Sequence, residues 1–255
     1  MTASASENIH DQIDQWLDAL SSQPAFGEWA EAVRDISPLG PGTHSWLVTF
    51  HSGQQTIGYM VVHATEDGGY ALGEYGVGEE PLYGAATLRR SLSSLGLEAA
   101  HLAGILKVEQ HYISPVLAVW RIQQQDEEPI YVDAKTGEQL PIEDADWQMA
   151  ADAAHIPPSP TPVKLLDVLV LPSFDAFERM PWLTRQPLRP AAPADQLRLR
   201  EQVRFTADPF EGRHLFVWPV TGYHHWDDHQ LYLSVDQEGS RYIPLAVLHA
   251  AGSYY

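Results

Sequence analysis

The sequence predicts an α+β protein: an antiparallel sheet with helices packed on it, plus a smaller β-rich C-terminal unit. First, Ser45–Gly76 and Leu117–Leu140 carry strand-length runs of β-forming residues separated by glycine turns. Second, helical periodicity appears only in isolated blocks. The strand–helix alternation of a parallel sheet is missing, and the short connections favour antiparallel pairing. Third, Ile156–Pro162 holds four prolines in seven residues, a stiff extended linker. These observations divide the chain into a helical hairpin with an α+β domain over 1–155, a proline-rich link over 156–163 and a β-rich unit over 164–255.

The elements follow in order. Ile9, Ile13, Trp16, Leu17 and Leu20 fall on one stripe of a 3.6-residue period, which predicts a helix over Ser6–Leu20 with Ser6 as its cap. Phe26–Ile36 reads as a second helix with Trp29, Val33 and Ile36 on one face, stopped by the prolines and glycines of Pro38–Gly42. Ser45–Gly76 reads as a three-stranded meander turning at Ser52–Gln54 and at Glu66–Gly69. Pro81 suits the first position of a helix that runs to Leu95 and closes at Gly96, and Gly104–Val108 reads as a strand. Glu143–His155 forms a short acidic helix carrying Trp147. Leu165–Leu171 is almost wholly apolar and predicts a buried strand, after which a proline-rich stretch is irregular. His214–Val220, Leu231–Val235 and Arg241–Leu245 are three strands by pattern, and Ala246–Ala251 supplies a closing turn of helix.

Composition bounds the function. A formal charge of −19 over 255 residues disfavours nucleic acid, whose phosphates require a basic footprint. The same charge gives a secondary preference for cationic partners. The absence of cysteine removes disulfides, thiolate nucleophiles and Cys-ligated metals. No apolar run approaches the length needed to span a bilayer, and no basic region followed by an apolar run marks a signal peptide at Met1.

The clearest local signal is the hairpin Leu117–Leu140: a strand around Trp120, a polar loop at Asp126-Glu127-Glu128, then Ile130-Tyr131-Val132 and the turn Lys135-Thr136-Gly137-Glu138. Asp133 is placed to cap that turn with its carboxylate. The run Tyr131-Val132-Asp133-Ala134-Lys135-Thr136-Gly137-Glu138 resembles the closing motif of PepSY or propeptide-like domains, and the resemblance spans Leu117 to Leu140. It implies an extracytoplasmic setting and a non-catalytic binding or regulatory role toward a protein or peptide.

Candidate chemistry is sparse. Trp120, Tyr131, Asp133 and Trp226 are the candidate binding residues, with Trp226 expected to be the most exposed of the aromatics. Tyr223–His229 is expected to be a polar loop between strands. Its His224, His225, Asp227 and His229 belong to the ligand set of zinc-like ions, so a metal-assisted hydrolase is the enzymatic alternative. No metal-binding signature or nucleophile elbow is present, and neither cofactor nor catalytic residue is expected. His63, close to Glu66 and Asp67, reads as a strand end beside a turn. A cell-wall or glycan-binding module is a third reading and requires an exposed aromatic row.

Overall fold

The first helix, α1 (Ile9–Leu20), buries its Ile13, Trp16, Leu17 and Leu20 stripe as its periodicity requires. Its cap is Asn8, whose side chain accepts the His10 N–H at 3.0 Å. This computed structural model describes residues 8–40, 44–125, 127–157, 161–189, 192–227 and 230–255, so Ser6, Asp126 and His229 lie outside it. The predicted second helix is not formed. Two short 3₁₀ turns, Pro24–Phe26 and Trp29–Glu31, lead into strand β1 (Val33–Pro38). Trp29 is held by stacking on Phe50 at 4.5 Å, and Val33 to Pro38 pair residue by residue with the next strand. The spacing of Trp29, Val33 and Ile36 mimicked a helical face across a turn and a strand.

The meander forms as expected: β2 (Ser45–Ser52), β3 (Gln55–Ala64) and β4 (Tyr70–Val77). Helix α2 (Ala85–Ser94) starts after Pro81, whose carbonyl instead accepts the Gly84 N–H in a tight turn. After α3 (Glu98–Leu102) a separate antiparallel sheet is built from β5 (Leu106–Ser114), β6 (Leu117–Gln124), β7 (Ile130–Asp133) and β8 (Gln139–Leu140), in that spatial order. Helix α4 (Asp144–Ala153) follows with a capping box between Glu143 and Asp146.

Beyond the proline-rich stretch come β9 (Leu165–Val170), α5 (Ala192–Arg198), β10 (Val203–Ala207), β11 (Phe216–Trp226), β12 (Leu231–Asp236), β13 (Ser240–Pro244), α6 (Leu245–Ala251) and β14 (Ser253–Tyr254). These strands do not make a sheet of their own. β13 pairs with β4, giving one ten-stranded sheet of order β1-β2-β3-β4-β13-β12-β11-β10-β14, with β9 also on β11. The α+β class and mainly antiparallel pairing therefore hold, and a single large sheet runs through both halves of the chain.

Alternation along the strands sorts the two faces of this sheet. Met60, Val62, Leu72, Tyr75 and Tyr232 pack under α1. Tyr59 and Val61 instead meet Trp120, Ile122 and Val132 of the small sheet, while Leu233, Val235 and Ile243 join Val119, Tyr131 and Trp147. At the β4–β13 seam, between the two sheets, lies a buried ion pair: Arg241 Nη2 stands 2.7 Å from Glu74 Oε2, with side chains 1% and 0% exposed. Arg241 also donates to Tyr59 Oη at 3.1 Å, to the Pro115 carbonyl at 2.9 Å and to Gln237.

Candidate functional site

The four residues expected to bind are buried. Trp120 packs edge-on against Tyr83 at 5.0 Å between the sheets. Tyr131 stacks on Trp147 at 5.9 Å and donates its hydroxyl to Asp144 at 2.5 Å. Asp133 Oδ1 accepts the N–H groups of Lys135 at 2.9 Å and Thr136 at 2.7 Å, the turn cap its position suggested. Trp226, expected to be the most exposed aromatic, is fully buried and donates Nε1 to Tyr75 Oη at 3.1 Å. With these four residues at 6% exposure or less, they cannot form the exposed stacking row that a glycan surface needs.

Nor is Tyr223–His229 simply a loop: β11 continues through Trp226 because β12 and β9 flank it on both sides. Alternation sends His224 and His225 to opposite faces. His224 is walled in by Phe26, Tyr75 and Tyr242, stacks on Tyr242 at 4.0 Å and shares a 2.7 Å hydrogen bond between Nδ1 and Tyr75 Oη. Burial pushes its pKa down to about 3. Asp227 accepts the Val163 N–H at 2.9 Å. Among the described residues, no three His, Asp or Glu side chains converge as a metal site.

Two other features have the form of functional surfaces. The first is a cleft of about 1000 Å³ where the β3–β4 turn, the β5–β6 turn, α1, α6 and the proline-rich stretch converge. His63 lines it, and so does Tyr112, whose buried hydroxyl has no partner among the described residues. His63 Nδ1 lies 2.6 Å from Ser45 Oγ on the adjacent strand, and burial holds its pKa at about 4. A Cβ on Gly73 would stand 2.3 Å from His63 Nε2, so glycine is what gives the imidazole its place. Sequence reasoning left His63 as a strand end. The register shows what could have found it: pairing back from the Ser52–Gln55 turn, across one bulge, sets Ser45 opposite His63.

The second feature is the outer edge of β9. Expected to be a buried strand, it is an edge strand, with Leu166 and Val170 exposed by 54% and 69%, Leu165 packed on the α1 side of the large sheet and Leu169 on the other. The Leu171 N–H donates to the Thr221 carbonyl, which fixes the phase of the ladder. By alternation, Val168 and Val170 turn their own N–H and C=O groups outward, away from β11, and the ladder is interrupted by a bulge at Leu166. Among the described residues, no strand pairs with that edge. A Cβ on Gly222 would stand 2.0 Å from the Leu169 carbonyl oxygen, so close approach of β9 to β11 depends on glycine there. Comparison with models of protein families, with curated proteins and with solved structures finds no match to this chain.

Proposed function

We propose that this chain is a non-catalytic binding module that takes an extended segment of a partner protein along β9. The observation that carries the reading is the open backbone edge at Val168 and Val170, whose side chains fall on one apolar face. Beyond the bulge at Leu166, the open backbone groups of such an edge are a template for strand addition. The backbone would give affinity and the alternate apolar side chains would give selectivity for β-branched residues.

Charge favours a partner over a second copy of the chain. Each copy carries −19, so two copies repel at long range while a basic segment is attracted. In the sequence around and after β9 the balance is different: Val163–Arg204 holds seven of the 15 basic residues and only five of the 34 acidic ones. The docking contact itself is therefore apolar, and the acidity acts on approach. The PepSY-like hairpin at Leu117–Leu140 accords with a binding role and with an extracytoplasmic setting. Against acid–base catalysis in the cleft stands the low basicity of His63.

The test is Val168→Pro, which deletes one outward N–H and leaves the bonds to β11 in place. The full chain should bind a fluorescent Lys-Val-Thr-Val-Thr-Val-Lys peptide, and V168P should lose that binding with its melting temperature nearly unchanged. Equal binding by V168P would overturn the reading. So would a dimer in sedimentation without peptide that V168P dissolves, because the edge would then belong to a second copy.

A further inference from the structure

We infer that the His63 cleft is a second, separate binding site, for an organic cation: an amine carried on an apolar body. The inference stands independently of the β9 edge. Its first support is the distribution of charge. Glu66 and Asp67 line the cleft from the β3–β4 turn, and among the described residues no Lys or Arg lines it. Asp67 is engaged by Thr65 and the Gly69 N–H, whereas Glu66 carries no ion pair among the described residues, so its carboxylate is available to a ligand.

The second support is the imidazole. Ser45 occupies Nδ1, which leaves Nε2 as the ring nitrogen for a ligand. When Nδ1 carries the proton and donates to Ser45 Oγ, Nε2 is an acceptor for an ammonium N–H. Because burial keeps the ring neutral at ordinary pH, it offers a cation a lone pair without repelling it. Ser45 is thus a positioning residue, acting through His63.

The third support is shape. The lining also carries apolar groups, Ile113, Pro115, Ile156, Pro157 and Val247, and Tyr112 adds an aromatic ring 6.0 Å from that of His63. A cleft of about 1000 Å³ holds a small organic molecule entire. An anion would meet the acidic lining and a field of net charge −19.

The experiment is calorimetric titration of the full chain with three probes sharing one body: 2-phenylethylamine, 2-phenylethanol and 3-phenylpropionate. The amine should bind roughly 10-fold more tightly than the alcohol, the effect of one charge-assisted hydrogen bond, and the carboxylate should not bind. Glu66 is exposed in a turn, so Glu66→Gln should fold normally, reduce the amine toward the alcohol and leave the alcohol unchanged. Ser45→Ala should weaken the amine and alter the ¹⁵N signals that report the His63 tautomer. The inference is overturned if no probe binds at millimolar concentration, if the three bind alike, or if E66Q leaves the amine's affinity unchanged.

Discussion

Replacing Glu74 with glutamine should destabilise this protein more than any surface change. The pair Glu74–Arg241 sits at the β4–β13 seam, where the residue pairs Arg241↔Gly76 and Tyr242↔Tyr75 join the halves of the large sheet. Burial pushes the Glu74 carboxyl up, and the Arg241 guanidinium opposes that push. Removing the carboxylate leaves a guanidinium that is 1% exposed without its counter-charge. Breaking such a pair typically costs about 3–5 kcal/mol. Because Tyr59, Gln237 and Pro115 still accept hydrogen bonds from Arg241, the lower end, about 3 kcal/mol, is expected. Urea unfolding should show a midpoint lower by about 1 M or more. Removing both charges with Glu74→Gln and Arg241→Met should recover much of the loss, since a buried pair is often replaceable by apolar packing. A loss below about 1 kcal/mol, or strictly additive single and double variants, would refute the claim that the two charges are coupled.

Two further outcomes follow from buried polar groups. The His224 pKa is about 3 in the folded chain against an ordinary 6.5, so the unfolded chain takes up the proton first. The stability it contributes is fully present above pH 6.5 and lost as pH falls toward 3. Unfolding measured between pH 7 and 4.5 should lose up to about 1.4 kcal/mol per pH unit through this group, and His224→Phe should flatten that slope. An unchanged slope would sink the assignment. At the small-sheet turn, Asp133→Ala should cost about 1–2 kcal/mol by removing the acceptor shared by Lys135 and Thr136, with Asp133→Asn losing less. Thermal melts equal to wild type would show that the turn holds without its cap.

What could be read from the sequence was local. The meander Ser45–Gly76, the hairpin around Tyr131 and the α1 stripe each announce themselves through turn residues or periodicity within one short window. The misreadings share a cause in long-range pairing. Val33–Pro38 is a strand because β2 is beside it, and β11 outruns its expected end because β9 and β12 hold it there. Leu165–Leu171 is apolar enough for a core, yet nothing in its own composition says that it lies at an edge. The β4–β13 contact joins residues more than 160 positions apart and leaves no mark in either segment. The candidate sites were illegible for the same reason. His63 matters through Ser45 and Gly73 on neighbouring strands, and through a cleft whose lining comes from distant parts of the chain.

The claim that β9 is an open docking edge is tested most directly by residue-resolved amide hydrogen exchange, with and without the Lys-Val-Thr-Val-Thr-Val-Lys peptide. In the chain alone, the Val168 and Val170 amides should exchange fast, while the Leu171 amide, bonded to Thr221, should be protected. With peptide, the two outward amides should slow by roughly 10-fold or more and Leu171 should stay as it was. Outward amides that are already protected in the dilute chain, or that show no change with saturating peptide, would contradict the account.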